Sequence, residues 1–109
     1  MKIINTDTPI NASDYADFLR QKLLPLFKER RQVELTFNIV NTDDSIEIQN
    51  TDIYDGFLFR FEFKGNEVDV IKSEHYTDDV NVLTLEDILN NLYMEFPGRD
   101  NISLIEEGS

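Results

Sequence analysis

From Ala12 onward, apolar residues recur at steps of three and four: Ala16, Leu19, Leu23, Leu26 and Phe27 share one helical face, which Tyr15 and Phe18 widen. Asn11 or Ser13 is placed to cap the start of this helix. Asp14 and Asp17 sit near the positive end of its dipole and Lys28, Arg30 and Arg31 near the negative end, so the charges agree with its direction. Pro25 falls inside the pattern; it lacks a backbone donor and crowds the carbonyl four residues back, which predicts a kink or a break into two pieces. Ahead of the helix, Lys2 to Asn5 reads as an edge strand.

At Gln32 the period changes to two. Val33, Leu35, Phe37 and Ile39 point one way and Glu34, Thr36 and Asn38 the other, the signature of a half-buried strand. Turn formers fill Asn41 to Ser45, after which Ile46 and Ile48 alternate with Glu47 and Gln49 in a second strand. Phe57, Phe59, Phe61 and Phe63 then alternate with Leu58, Arg60, Glu62 and Lys64; Gly65-Asn66 supplies a two-residue turn, and Val68 and Val70 resume the apolar face. A loop of that length sets the register: Lys64 faces Glu67, Phe63 faces Val68, Glu62 faces Asp69, Phe61 faces Val70 and Arg60 faces Ile71.

Within His75 to Val82, the residues Tyr76, Val80 and Val82 suggest a short or edge strand. A second helix is expected to open at Thr84, with Asp87 at the capping-box position, Leu83 stapled onto Ile88, and Leu85, Ile88, Leu89, Leu92, Tyr93 and Phe96 as its stripe. Pro97-Gly98 ends it, and Ile102, Leu104 and Ile105 form a last short strand before Glu106-Glu107-Gly108-Ser109. The predicted fold is α+β: an antiparallel meander of four to six strands with two helices packed on its phenylalanine face, in the order α-β-β-β-β-(β)-α-β. Its other face is left open to solvent or a partner.

Composition supports a folded chain and removes much familiar chemistry. With 109 residues, 40% of them hydrophobic, residues 1–109 form a single domain with enough apolar surface for one core. The absence of Cys excludes disulfides, thiol nucleophiles and thiolate zinc sites, and a single His leaves no imidazole pair for a metal. Asp43-Asp44-Ser45-Ile46-Glu47 lacks the glycine and closing glutamate of a calcium loop, and His75 is followed only by scattered carboxylates at Asp78 and Asp79. No nucleophile elbow and no glycine-rich phosphate loop occur, so neither catalysis, nor a metal, nor a cofactor is expected. Nothing in Met1 to Pro9 has the apolar run of a signal peptide, and no later stretch approaches the roughly 18 apolar residues of a membrane span, which points to a soluble, cytoplasmic protein.

Charge is the least ordinary feature. The 22 acidic and 10 basic residues give a formal net charge of −12, which repels phosphate backbones and anionic membranes, so neither nucleic acid nor membrane is an expected direct partner. Arg20, Lys22, Lys28, Arg30 and Arg31 cluster in the first helix, leaving the rest of the chain strongly acidic. Acidity of this kind serves solubility, or it docks onto a basic surface. The docking reading predicts a small non-catalytic binding protein that occludes a basic, nucleic-acid-binding surface of a nuclease or other nucleic-acid-processing enzyme, as DNA-mimicking anti-defence inhibitors do. The candidate contacts are the outward acids Glu47, Glu62, Glu67, Asp69, Asp78 and Asp79, with Tyr54, beside Ile53 in an acidic loop, as either an interface anchor or a cap on the end of the core. Opposed carboxylates at Glu62 and Asp69 would oppose stability unless Arg60 or Lys64, placed diagonally, neutralises them. The competing expectation is an immunity protein or secretion-chaperone-like protein that holds one client, as a homodimer, through an apolar surface.

Overall fold

The computed structural model describes residues 1–32, 35–96 and 98–107. Its elements run β1 (Lys2–Thr6), α1 (Ala12–Arg31), β2 (Asn38–Asn41), β3 (Ser45–Gln49), β4 (Phe57–Lys64), β5 (Glu67–Lys72), α2 (Val80–Leu92), a short 3-10 turn (Arg99–Asn101) and β6 (Ile102–Glu107). The strands form one antiparallel sheet in the order β2-β3-β4-β5-β1-β6, with both helices on a single face, so the α+β architecture is as the hydrophobic pattern predicts.

β2 to β5 make the meander. The β4–β5 hairpin has the register that the two-residue turn dictates, from Lys64 opposite Glu67 to Arg60 opposite Ile71, and Gly65 takes the positive φ of 61° that the turn needs. Ile39, Ile46, Ile48, Phe59, Phe61, Val68, Val70 and Ile4 all turn their side chains to the helix side and are buried. From the helices, Tyr15, Leu19, Leu23, Phe27, Val82, Leu85, Leu89 and Tyr93 meet them. Tyr15 anchors an aromatic cluster, 5.4 Å from Phe61, 5.7 Å from Phe63 and 5.3 Å from Phe96 between ring centres.

Five local expectations are corrected. β1 is not an edge strand: it pairs with β5 on one side and β6 on the other, because Ile4, 1% exposed, completes the inner face beside Val68 and Ile105. Helix α1 continues through Pro25 without a break. Burial of Leu23 and Phe27 on either side, each worth about 1.5–3 kcal/mol, offsets a proline cost of about 3 kcal/mol. Leu26, by contrast, leaves the buried face and is 38% exposed. Leu58, expected to face outward, is fully buried, because Ile48 pairs with Phe59 while Gln49 pairs with Phe57; the extra residue is a bulge that reverses the alternation and leaves Phe57 half-buried.

The fifth correction concerns α2, which starts at Val80, so Val80 and Val82 belong to a helix and not to a strand. Asp79 is its cap, accepting from the Asn81 and Val82 backbone N–H groups at 2.8 and 3.1 Å, and Val82, Leu85 and Leu89 are buried at helical spacing. Thr84 instead donates its hydroxyl to the Val80 carbonyl, Asp87 pairs with Arg30, and Leu83 is exposed. Asn11 is the cap of α1. β2 begins at Asn38, with Leu35 and Phe37 turned inward ahead of it; Val33 and Glu34 from the expected start of that strand lie outside the described residues, as do Pro97 of the expected helix stop and Gly108-Ser109 at the chain end.

Candidate interaction surface

Because both helices cover one face of the sheet, the alternate side chains of the strands stand on a face with no helix over it among the described residues. Register arranges them in rows across the strands. One row runs Val40, Glu47, Arg60, Ile71 over β2 to β5; the next runs Ser45, Glu62, Asp69, Ile3, Glu106 from β3 to β6; the third runs Lys64, Glu67, Asn5, Leu104. Thus Glu47, Glu62, Glu67 and Asp69, four of the acids expected to point outward, share this open face.

They do not stand alone. Arg60 Nε donates to Glu62 at 3.1 Å and its Nη1 pairs with Glu47. Lys64 Nζ lies 2.8 Å from Asp69 Oδ2 and 3.8 Å from Glu62. The diagonal cations therefore neutralise part of the opposed pair, and the geometry leaves traces in the protonation equilibria. The Glu62 carboxylate, with Glu47 beside it, holds the Arg60 guanidinium above its usual pKa, and the Asp69 carboxylate does the same to the Lys64 ammonium. These pairs are partly or fully solvated and contribute little to stability individually. Their consequence is a fixed spatial pattern, with the carboxylates of Glu67 and Glu106 extending the negative charge toward β6.

Asp69 differs from its neighbours. It is only 3% exposed although it stands on the open face, and its Oδ1 is buried with no hydrogen-bond donor among the described residues. Burial would raise its pKa, but Lys64 and the Glu67 carboxyl hold it below the usual aspartate value, and Glu67 is raised by the same contact.

The remaining candidates lie elsewhere. Tyr54 is 4% exposed, packs its ring edge-on to Tyr76 at 4.8 Å and donates its hydroxyl to Asp79 Oδ1 at 2.9 Å; it caps the end of the core, and Ile53 beside it is the exposed apolar residue at 58%. Burial raises the Tyr54 pKa, so its hydroxyl remains a donor. Asp79 is occupied as the α2 cap, and Asp78 is exposed in the same loop, at the end of the sheet and not on its open face. Asp79→Ala should therefore act on folding: losing a cap and the acceptor of a buried hydroxyl is expected to cost about 2 kcal/mol in urea unfolding, with any binding by the sheet face unchanged.

Residues outside the expected set complete the surface. Glu106 accepts from Asn5 Nδ2 at 2.7 Å and joins the middle row. Ile3 and Ile71 are half-buried there and Leu104 is 54% exposed, so an aliphatic diagonal of Ile71, Ile3 and Leu104 runs across β5, β1 and β6 beside the acids, while Val40, 39% exposed, stands apart on β2. The alternation Lys2-Ile3-Ile4-Asn5 was the available signal for Ile3; nothing local to the sequence brings β6 beside it.

His75 is exposed at the rim of an open cleft of about 500 Å³ that Asp55, Phe57, Ile71 and Lys72 also line. Among the described residues no three His, Asp or Glu side chains converge closely enough to hold a metal ion, and no helix is long and apolar enough to cross a membrane. No protein family, curated protein or solved structure matches the chain.

Proposed function

We propose that this chain is a small, acidic, non-catalytic binding protein that uses the open face of its sheet to occlude a basic surface of another protein, of the kind that a nuclease or other nucleic-acid-processing enzyme uses to hold phosphates. One observation carries the reading: a face that no helix covers among the described residues places Glu47, Glu62, Glu67, Asp69 and Glu106 on neighbouring strands, with Arg60 and Lys64 as the cations in the rows they share. Strands about 4.8 Å apart keep these carboxylates close enough for their fields to add, and the chain's net charge of −12 steers a cationic partner from a distance. The basic residues of α1 lie in the opposite layer, so they do not cancel this field locally. Such a face competes with DNA for the same cations.

The test is capture on the immobilised protein with stepwise salt elution. Contacts between exposed charges weaken as the screening length falls from about 10 Å at 0.1 M salt to about 3 Å at 1 M. Release of a basic nucleic-acid-binding protein at moderate salt, with displacement by added duplex DNA, is the expected outcome. The aliphatic diagonal of Ile71, Ile3 and Leu104 favours a second reading, in which the same face holds one specific client as an immunity protein or chaperone does. Retention of a single client, or of further copies of this chain, at 1 M salt would replace the first reading with that one.

A further inference from the structure

We propose that the open cleft beside the start of β4, lined by Phe57 and Ile71, receives one aromatic side chain of the basic partner, whose cationic neighbours meet the acids of the cleft rim. The inference rests on the reading of the open face as a partner-binding surface and names the group that anchors the partner there.

Phe57 opens β4, and its direction follows from the bulge. With Ile48 opposite Phe59 and Gln49 opposite Phe57, the ring falls on the open face instead of the core side. Ile71 reaches the same face from β5, opposite Arg60. Both are half-buried, and with Gly56 and the segment 73–75 they line a cleft of about 500 Å³, a size that takes small organic groups. Two apolar side chains that share one concavity, unlike scattered single ones, mark a place that another apolar group covers. The cleft is built before any partner arrives. The Asp55 N–H donates to the Tyr76 hydroxyl at 2.8 Å, the Ser73 N–H to the Leu58 carbonyl at 2.8 Å and the His75 N–H to the Ser73 hydroxyl at 3.2 Å, so the loops on both sides are tied down. A site already in place loses less freedom when it is filled.

Charge selects what flanks the occupant. Asp55 and Glu74 stand exposed on the rim. Lys72 also lines the cleft, but its ammonium is drawn to Glu86 of α2 at 3.1 Å, and Arg60 on the adjoining strand is held by Glu47 and Glu62. The rim therefore attracts cations on either side of an inserted ring. A second apolar cleft, of about 350 Å³ beside α1, is lined by Arg20 and Lys28, which repel such a segment. An aromatic ring suits the Phe57 site because it brings a large apolar surface with few rotatable bonds.

The chain contains no Trp, so a tryptophan placed in a probe peptide is the only indole in the sample. The probes are a pentapeptide with tryptophan between two pairs of lysines and its alanine counterpart, which carries the same charge. At low salt the tryptophan peptide is expected to bind the intact protein about tenfold tighter than the alanine peptide, with its emission moved to shorter wavelength and the Phe57 and Ile71 resonances shifted in NMR spectra. Both affinities should fall as salt is raised while their ratio holds, because screening acts on the lysines and not on the ring. In Ile71→Thr, which keeps a β-branched side chain in the strand, the ratio should fall to about one and the emission shift should vanish. Phe57→Ala is the second variant and should lower the ratio several-fold; a urea transition shows that each variant is folded. The proposal is overturned if the two peptides bind the wild type equally, or if the ratio and the emission shift survive in folded Ile71→Thr or Phe57→Ala. Equal binding of both peptides would leave the acidic face standing as a docking surface for cations. Conversely, lysate capture that yields no nucleic-acid-binding protein while the tenfold ratio holds would overturn the occlusion reading and leave the aromatic anchor in place.

Discussion

Phe61→Ala is expected to cost about 3–5 kcal/mol of folding stability. The ring is fully buried in β4, an interior strand paired on both sides, and it lies 5.4 Å from Tyr15 of α1 and 6.4 Å from Tyr93 at the end of α2. Its removal therefore opens a cavity where both helices meet the sheet. A domain of this size has a total stability of about 5–15 kcal/mol, so the variant should unfold at much lower urea with an unchanged slope. Its melting temperature should fall by at least about 12 °C. A loss below about 1.5 kcal/mol would mean that the helices do not rest on the phenylalanine face.

The second large effect is on binding. Glu62→Lys combined with Glu106→Lys reverses two carboxylates that bracket Asp69 in the middle row of the open face. Neither side chain is in the core, and Asp69, whose burial makes it a poor subject for reversal, is left in place with Lys64. The change shifts the face by four charge units and turns attraction toward a basic partner into repulsion. Like-charge contacts at an interface cost several kcal/mol, so affinity for the partner should fall by about 100-fold or more, chiefly through slower association at low salt. The urea midpoint should move little, because exposed ion pairs contribute about 0–1 kcal/mol each. Equal loss of binding and of stability would instead identify these residues as structural.

Much of this arrangement is legible along the chain, for identifiable reasons. A two-residue turn at Gly65-Asn66 leaves a single register that keeps the phenylalanines on one face, and parity then places Glu47, Glu62, Glu67 and Asp69 on the other. What eluded the pattern depends on contacts far apart in sequence. β1 carries the same alternation whether it lies at an edge or between two strands, and only β6, about a hundred residues later, decides it. Val80 and Val82 fit a strand as well as a helix, and the choice falls to Asp79, which caps α2 and accepts from Tyr54. Tyr54 is buried for the same reason, while the equally apolar Ile53 is left outside. The bulge at Leu58 shifts one residue within an otherwise regular alternation, which a period of two cannot announce. Within the site itself, orientation follows from sequence, but the burial of Asp69 and the approach of Glu106 follow from the assembled sheet.

The most direct measurement is a matched pair of capture experiments from one lysate of cells that express nucleases and other nucleic-acid-processing enzymes, on immobilised wild-type protein and on Glu62→Lys/Glu106→Lys. Identical salt steps are applied and the fractions compared by mass spectrometry. A basic nucleic-acid-binding protein is expected to be retained by the wild type at 0.1 M salt, displaced by duplex DNA and absent from the reversed face. Recovery of the same protein from both columns, or its retention at 1 M salt despite added DNA, would contradict this expectation.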